Sequence, residues 1–258
     1  MEAAGPFRAD QIRDGDPYEL DRGHPIEVMP TRRRGGRIQG RINAIIGSDP
    51  AVKQSGVEVG YSVAPDSLRA PDISVLPDTP DPEGWDPQAP PLAIEVADRG
   101  QDEADFVRKV ETLLAAGTRY FWVVRVHSRR RRVDVFEAGQ PKREYFDGDE
   151  LTAPGVLALP VPVTALFEAN QGNDVVLRNL LSREGYASIE AVQDEGRQEG
   201  RQEGRTEALL LVLRARGLSM GDDDIARIRS STDAAQVERW LARAVVATTL
   251  AEVLSDGS

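Results

Sequence analysis

Two short segments decide the fold of this chain: PDISVL at residues 71–76 and LAIEVA at residues 92–97. Each is an apolar run of strand length that contains one carboxylate, Asp72 in the first and Glu95 in the second. Apolar runs of about four to eight residues between turn signals are typical of strands buried inside a sheet. The sequence therefore predicts two interior strands, each carrying one acid, joined by the proline-rich loop 77–91.

Helices and further strands are predicted on both sides of this pair. Isoleucines at 38, 42, 45 and 46 repeat with the spacing of one buried helix face, which predicts a first helix over about 35–47. A second helix is predicted over 102–116, because Gly117 is a common signal for a helix end. The other predicted strands cover 57–63, 120–124, 132–137 and 143–146, after an edge hairpin at 18–29. This order predicts an α/β fold, a mixed sheet flanked by helices.

Composition limits the class of protein. The chain has 258 residues, of which 40% are hydrophobic and 29% are charged, values typical of a folded globular protein. It has no cysteine, which excludes disulfides and thiolate chemistry, and no apolar run long enough to cross a membrane. We therefore expect a soluble cytoplasmic protein without a membrane partner. No phosphate-binding glycine loop and no serine, histidine and aspartate triad are present.

Three regions are predicted along the chain. Residues 1–14 are expected to be a flexible N-terminus, 15–168 a catalytic-sized domain, and 169–258 a helical tail. The tail contains EGRQEGRQEGR at 195–205, a tetrapeptide repeat. Four helical residues advance about 400°, so each residue type forms a stripe, with like charges adjacent. A homo-oligomer formed through the helices of 190–254 is the favoured interpretation, and a solvated linker helix is the alternative.

Asp72 and Glu95 are the centre of the functional prediction. A buried carboxylate is costly unless a cation neutralises it, and Mg²⁺ or Mn²⁺ binds well to one or two carboxylates while keeping several waters. Strand alternation places Glu95 between the small side chains of Ala93 and Ala97, which leaves room for an ion. Lys109 lies on the rim of the buried face of the second helix, from which its ammonium could reach the acids. Capped or edge-exposed acids are the structural alternative.

Two weaker sets complete the candidate site. Glu19, in the segment YEL at 18–20, is a possible third metal ligand from outside the sheet. The net charge of −11 argues against a generally DNA-binding surface, but a local basic cluster could contact phosphates. The candidate nucleic-acid contacts are Arg32, Arg33, Arg34, Arg37 and Arg41.

Several segments taken together resemble the Uma-two family of bacterial restriction endonuclease-like proteins. They are YELDRG from 18, GRI from 36, APDISV from 70, AIEV from 93, Lys109, and AGTRYFWVV from 116. The resemblance covers about 15–168 and implies a PD-(D/E)XK nuclease fold. It also implies metal-binding acids at Asp72 and Glu95, with Glu19 as the acid near the start and Lys109 as the lysine of the following helix. The tail resembles helices appended to transposase-associated nuclease-like proteins.

The sequence departs from the family pattern at two places. Ala97 stands where the lysine of an ordinary (D/E)XK tripeptide would be, so that catalysis would rely on Lys109. Gly35 stands where relatives often have histidine, and Ala97-Asp98 replaces the usual Leu-Ser, which points to reduced or altered activity.

The leading hypothesis is a magnesium-dependent endodeoxyribonuclease, a hydrolase that cuts phosphodiester bonds in DNA. A catalytically inactive nuclease-like scaffold that binds nucleic acid or a protein is the main alternative. A third, weaker idea is that the acidic tail binds a basic partner and delivers the core to it.

Overall fold

The computed structural model describes residues 5–97, 103–128 and 130–255, and the chain divides into two compact units at Gly185/Tyr186. The centre of the first unit is a six-stranded mixed sheet with the order β10-β9-β8-β7-β6-β3. Its strands are β3 Ser55–Val57, β6 Ile73–Val75, β7 Leu92–Ala97, β8 Tyr120–Arg125, β9 Arg132–Glu137 and β10 Arg143–Phe146. Strands β7 and β8 are parallel and the other neighbours are antiparallel. The predicted mixed α/β sheet is confirmed.

The central strand β7 is buried on both faces because helices cover both. Leu92, Ile94 and Val96 join a core with the isoleucine face of helix α1, Arg33–Ser48. Ala93 and Ala97 face the other side, where they pack with the apolar face of helix α2, Glu103–Ala115. This alternation follows from the two-residue period of a strand. It directs Glu95 to the α2 side of the sheet.

A second sheet of four strands has the order β2-β1-β5-β4. It contains β1 Tyr18–Asp21, β2 His24–Glu27, β4 Tyr61–Ala64 and β5 Ser67–Arg69. The predicted hairpin is β1 and β2, and its turn has positive φ angles at Arg22 (49°) and Gly23 (77°). Two central residues with positive φ are what a tight two-residue hairpin turn requires.

The prediction of one strand over 57–63 was wrong. Residues on either side of the break belong to different sheets, β3 ending at Val57 and β4 beginning at Tyr61. Glu58 has a left-handed backbone (φ 54°), which ends the first strand. Gly60 then passes so close to Trp85 that a Cβ atom would lie 2.5 Å from the ring. A short-range alternation pattern does not reveal such a turn.

The expectation of a flexible N-terminus is corrected for the described residues 5–14. Ala9–Gln11 form a short 3-10 helix, and Ala9 is buried with Leu20 and Leu68. The indole Nε1 of Trp85 donates to the carbonyl oxygens of Ala9 (3.1 Å) and Ile12 (3.2 Å). This segment packs against the four-stranded sheet, while residues 1–4 lie outside the described part of the chain.

The domain boundary also differs from the predicted 168/169, because the compact unit continues to Gly185. After the two-stranded pair β11 Glu150–Leu151 and β12 Val161–Pro162 come α3 Val163–Phe167 and α4 Ala169–Arg183. The buried amide of Asn179 donates to Ile45 O (3.2 Å) and to Ser48 Oγ (3.1 Å). Arg183 donates to carbonyl oxygens around the C-terminus of α1, including Ser48 O at 2.9 Å. Helix α4 therefore supplies hydrogen-bond donors to the carbonyl oxygens at the C-terminal end of α1, and it belongs to the first unit.

The second unit consists of helices α5 Ile189–Ala215, α6 Asp222–Arg229, α7 Ala234–Val246 and α8 Leu250–Val253. Its core is formed by leucines of the C-terminal half of α5 with Ile228, Val237 and Trp240. Ser188, Asp233 and Thr249 cap helix N-termini with side-chain oxygens. Among the described residues, no helix is both long and apolar enough to cross a membrane.

Candidate active site

The candidate site lies where the four-stranded sheet continues into the six-stranded sheet. Strand β5 ends three positions before Asp72, and β6 begins directly after it. The antiparallel register pairs Ile73 with Ile94, so the next position along the ladder sets Asp72 opposite Glu95. Opposed residues of an antiparallel pair project to the same face. The main-chain N–H of Val96 donates to Asp72 Oδ2 at 2.6 Å, which fixes that carboxylate beside Glu95.

Lys109 reaches this point from α2 and is buried, with 9% of its surface exposed. Its Nζ forms an ion pair with Glu95 Oε1 and another with Glu19 Oε1 at 2.7 Å. It also donates to the carbonyl oxygen of Ala70 at 2.8 Å. The structure therefore brings together Glu95, Lys109 and Glu19, which come from three separate segments. An ammonium has three hydrogens, and three acceptors surround this one.

Glu19 is held from two sides. In β1, Leu20 pairs with Leu68 of β5, so Glu19 projects to the opposite face from these leucines. Its Oε1 contacts Lys109, and its Oε2 lies 3.4 Å from Nη1 of the fully buried Arg69. Glu19, predicted as a possible third metal ligand, thus has a cation at each carboxylate oxygen. Across the described residues, no group of three or more acids or histidines has a metal-binding arrangement.

Arg69 is the centre of an ion-pair network that sequence analysis missed. Besides Glu19, it contacts Asp21 at 3.0 Å and Asp105 at 3.5 Å. Arg108 pairs with the same two acids, Asp21 at 3.0 Å and Asp105 at 3.5 Å. The sequence contained one signal of this network, the arginine in the strand that precedes the segment with Asp72. Arginine is rarely buried without a charged partner. The three partners of that arginine lie 50, 48 and 36 positions away, too far to be identified from local spacing.

Burial and charge act on the pKa values of the central pair. Burial raises the pKa of Glu95 well above its usual value, and although Lys109 opposes this shift, the carboxylates of Asp72 and Glu19 add to it. Burial alone would lower the pKa of Lys109, but the charges and hydrogen bonds of Glu19 and Glu95 raise it overall. The amine therefore stays protonated at neutral pH, and Glu95 gives up its proton less readily than an exposed glutamate.

The charge balance of the cluster fits a divalent cation. Among the described residues, five carboxyl groups lie in it with three cationic side chains, an excess of two negative charges when all are ionised. They are Glu19, Asp21, Asp72, Glu95 and Asp105, with Arg69, Arg108 and Lys109. Hard divalent cations take such oxygen ligands. Asp72 and Glu95 are the two acids of this set for which the donor chemistry fits best, because neither is bound to an arginine.

The predicted arginine cluster lies on and before the first turns of α1. Arg32, Arg33, Arg34 and Arg37 are exposed and form no ion pair with any described residue. Arg41 differs, since its Nη1 donates to Leu166 O at 3.1 Å inside the first unit. Four of the five arginines are thus free to contact an anion, while the fifth has a structural partner.

The departure at Ala97 acquires a structural context. Ala97 is buried on the face of β7 that carries Glu95, two positions further along the strand. A lysine there would project to the same side of the sheet as Glu95. Lys109 brings an ammonium to that side from α2 instead. Gly35, the second departure, is buried in the first turn of α1.

The fold of this chain is similar to that of a solved structure. The chain is similar to a protein from Anabaena variabilis whose crystal structure is described as that of a putative nuclease, with a TM-score of 0.55 and 19% identity. The match covers 67% of this chain and 100% of the other. The first unit therefore has a nuclease-like α/β fold.

The family follows from the sequence. Residues 7–163 match the model of the Uma2 family, described as putative restriction endonucleases, and the chain belongs to that family. The resemblance inferred from the sequence motifs is thereby confirmed, as is the nuclease-like fold that it implied. No curated protein matches the chain.

Proposed function

We propose that this member of the Uma2 nuclease family is a metal-dependent endonuclease that hydrolyses phosphodiester bonds in DNA. The observation that carries the proposal is the convergence of Asp72 and Glu95 on one face of the sheet beside a buried, protonated Lys109. Two carboxylates and one amine in a cluster with excess negative charge are suited to phosphoryl chemistry with a divalent cation.

Asp72 and Glu95 would hold Mg²⁺, or Mn²⁺ in its place. When bound, such an ion lowers the pKa of a coordinated water and offsets negative charge that develops on the phosphate. Glu19 has a different role in this proposal, because both of its oxygens already contact cations. It serves as the counter-ion that keeps Lys109 charged and fixed in place.

Lys109 is an electrostatic group in this proposal and not a general base. Its raised pKa keeps the ammonium protonated at neutral pH, so it can donate hydrogen bonds but cannot accept a proton. Its three hydrogens face Glu95, Glu19 and the Ala70 carbonyl. Contact with a phosphate oxygen or an attacking water therefore requires one of these bonds to open. Glu95 would be the partner released from Lys109 if its carboxylate held the cation.

The arginines before and in the first turns of α1 are the proposed DNA contacts. Arg32, Arg33, Arg34 and Arg37 are exposed without ion-pair partners among the described residues, in a chain whose net charge is −11. Each phosphate contact releases counterions, so affinity should fall as salt rises. Replacing Arg33 and Arg34 with Gln should weaken binding to every DNA sequence and reduce the slope of log affinity against log salt by about 2.

The proposed activity is tested by incubating the purified full chain with plasmid DNA, single-stranded DNA and RNA in Mg²⁺, Mn²⁺ or EDTA. We expect DNA cleavage that requires metal and that is lost in Asp72→Asn and in Glu95→Gln. The matched control is Glu144→Gln, an acid at the far edge of the same sheet that pairs with Lys142. Cleavage that is equal in all four proteins, or that persists in EDTA, would reject the proposal.

One observation favours the inactive scaffold as the second candidate. Lys109 forms ion pairs with Glu95 and Glu19, and Arg69 supplies a second cation at Glu19, so these two acids have their charges paired without a metal. A scaffold of this kind would bind DNA equally well with and without Mg²⁺ and would cut nothing. Filter binding in EDTA, run beside the cleavage assay, separates the two candidates.

We further propose that the helices of 190–254 join copies of this chain, through the N-terminal half of α5. Residues 193–201 of that helix are exposed on every side. Glycine repeats and like charges four residues apart make such a helix weak by itself. Ile189 and Leu211, 43% and 66% exposed, lie on the same side of the helix as the glycines. This side is therefore the face that we propose contacts a partner.

The order of the Glu, Gly and Arg stripes around α5 determines whether two copies of the helix pair in parallel or antiparallel. Around the helix, the glycines are flanked by glutamates on one side and by arginines on the other, because successive residues are about 100° apart. A twofold axis parallel to the helices sets the Glu flank of one copy against the Arg flank of the other. An antiparallel pair would set Glu against Glu. The charges therefore favour a parallel homodimer, in which Gly200 faces Gly200 of the second copy.

Charge reversal tests this association. The double variants Glu195→Arg/Glu199→Arg and Arg197→Glu/Arg201→Glu should each be monomeric by light scattering, because both flanks then carry one sign. An equimolar mixture of the two should form a heterodimer. Gln198→Ala, on the side of the helix away from the glycines, is the control and should associate like the wild type. A monomeric wild type at micromolar concentration would end this proposal.

A further inference from the structure

Arg69 is the most deeply buried charged side chain at the junction of the two sheets, with 0% of its surface exposed. Moving a guanidinium out of water costs several kcal/mol unless its partners compensate well. Here the compensation is incomplete, because Nε and Nη2 have no hydrogen-bond partner in the described part of the chain, although Nη2 lies 3.0 Å from Asp21. An arginine with unpaired buried donors contributes little to the stability of the fold. We therefore consider which groups Arg69 holds in place.

Arg69 is linked to the amine of the site through one carboxylate. Its Nη1 lies 3.4 Å from Glu19 Oε2, and the other oxygen of Glu19 lies 2.7 Å from Lys109 Nζ. The plane of that carboxylate is therefore fixed by two cations on opposite sides. Without the guanidinium, the carboxylate could rotate about its last torsion angle, and terminal torsions of this kind are soft. Lys109 would then lose a fixed acceptor.

A second contact acts on the helix that carries Lys109. Asp105 and Lys109 are four residues apart in α2 and share one face of the helix. Nη1 of Arg69 lies 3.5 Å from Asp105 Oδ1, so the guanidinium holds the first turns of α2 against β5. The two contacts, one through Glu19 and one through Asp105, converge on the position of a single ammonium.

We infer that Arg69 is a positioning residue of the site, which fixes Lys109 through Glu19 and Asp105. The inferred effect on cleavage rests on the proposed function, but the effect on the ammonium does not. Lysine cannot replace arginine in this role, because it lacks the planar fork that reaches several carboxylates in fixed directions.

The test compares Arg69→Lys with Arg132→Lys in the full chain. Arg132 also pairs with a buried acid, Asp134, and with Glu144, but no contact joins it to Glu19 or Asp105, which makes it the matched control. Loss of a residue that orients a metal-site group typically costs about 10–100-fold in activity. We expect Arg69→Lys to lower kcat by that factor with KM unchanged within about twofold. Arg132→Lys should keep both values near those of the wild type.

A readout independent of cleavage is the NMR signal of the Lys109 ammonium, assigned by its absence in Lys109→Arg. It should shift or broaden in Arg69→Lys and stay unchanged in Arg132→Lys. If the wild type cuts nothing, the proposed function fails and this signal alone decides the inference about Arg69. An unchanged signal in Arg69→Lys, or equal losses of kcat in both variants, would overturn the inference.

A second variant covers the case in which Arg69→Lys does not fold. Glu19→Gln breaks the same chain of contacts one step further on and keeps the side-chain volume. It should lower kcat by a similar factor and disturb the same ammonium signal. Wild-type kcat together with an undisturbed signal in Glu19→Gln would contradict the inference.

Discussion

The sheet junction and the repeat of α5 are built from the same kinds of charged residue in opposite environments. At the junction, Glu19, Glu95, Arg69 and Lys109 are buried, and each pairs with residues from other elements. In the repeat, the charged side chains of 195–201 are exposed, and among the described residues Arg197 pairs only with Asp194, one turn away. Exposed pairs contribute about 0–1 kcal/mol, whereas breaking a buried pair costs about 3–5 kcal/mol. Burial, and not residue type, therefore distinguishes the proposed catalytic cluster from the proposed assembly surface.

The largest expected effect is on DNA cleavage, which should depend on the sheet junction and not on the repeat of α5. Asp72→Asn should lower DNA cleavage by about three orders of magnitude, the scale of losing a main electrostatic group of an active site. A variant in which Gln replaces all four charged residues of the repeat should keep its cleavage rate per molecule within about threefold of the wild type. These residues are Glu195, Arg197, Glu199 and Arg201. Initial rates on plasmid DNA at saturating Mg²⁺ measure both. Equal losses would show that the two regions are not functionally distinct.

The next effect is on stability. Lys109→Met leaves Glu95 buried without its cation and leaves Glu19 with Arg69 alone, so the free energy of unfolding should fall by about 3–5 kcal/mol. Lys142→Met removes a lysine that pairs with Glu144 at the surface and should cost less than about 1 kcal/mol. Urea unfolding followed by circular dichroism measures the difference. A Lys109→Met chain as stable as Lys142→Met would contradict the buried network.

A smaller effect locates the end of the first region. Asn179→Ala removes a buried amide that bonds to Ile45 O and Ser48 Oγ, which should cost about 1–3 kcal/mol. Asn173→Ala, at an exposed position of the same helix, is the control and should change stability by less than about 0.5 kcal/mol. The same urea unfolding experiment applies. If Asn179→Ala were neutral, α4 would belong with the tail, as the sequence had suggested.

The smallest effect is a pH dependence. The folded-state pKa of Glu95 is raised by burial, so the folded protein binds the proton more tightly than the unfolded chain does. Stability from this group is present at low pH and falls as pH rises through the raised folded pKa. Glu95→Gln lacks this titration, so its melting temperature relative to wild type should increase with pH in metal-free buffer. A difference that does not change between pH 4 and pH 9 would contradict the shift.

Prediction from the sequence succeeded for those strands of the sheet that a single hydrophobic pattern marks. The run at 92–97 became β7 with the predicted bounds, and the strands at 132–137 and 143–146 also match. It failed where tertiary contacts decide, as at Glu58 and Gly60, whose backbone turn depends on a distant tryptophan. The end of the first unit was missed for a similar reason, because Asn179 and Arg183 look like ordinary helix residues until they contact α1.

The candidate site was predictable in part. An acid inside an apolar run is visible in sequence, so Asp72 and Glu95 could be selected, and a lysine on the rim of a buried helix face pointed to Lys109. The counter-ion network could not be predicted, since Arg69 comes near Glu19 only after two strands of another sheet have paired. That pairing gives Glu19 a cation at each carboxylate oxygen, and its role as a third metal ligand stays a prediction.

The central claim is that Asp72 and Glu95 form one cation site beside Lys109, and titration of Mn²⁺ into the metal-free chain by calorimetry tests it most directly. We predict one ion per chain in the wild type, no detectable heat in Asp72→Asn or Glu95→Gln, and retained binding in Glu19→Gln. Absence of heat in the wild type, or equal binding in all four proteins, would contradict the account.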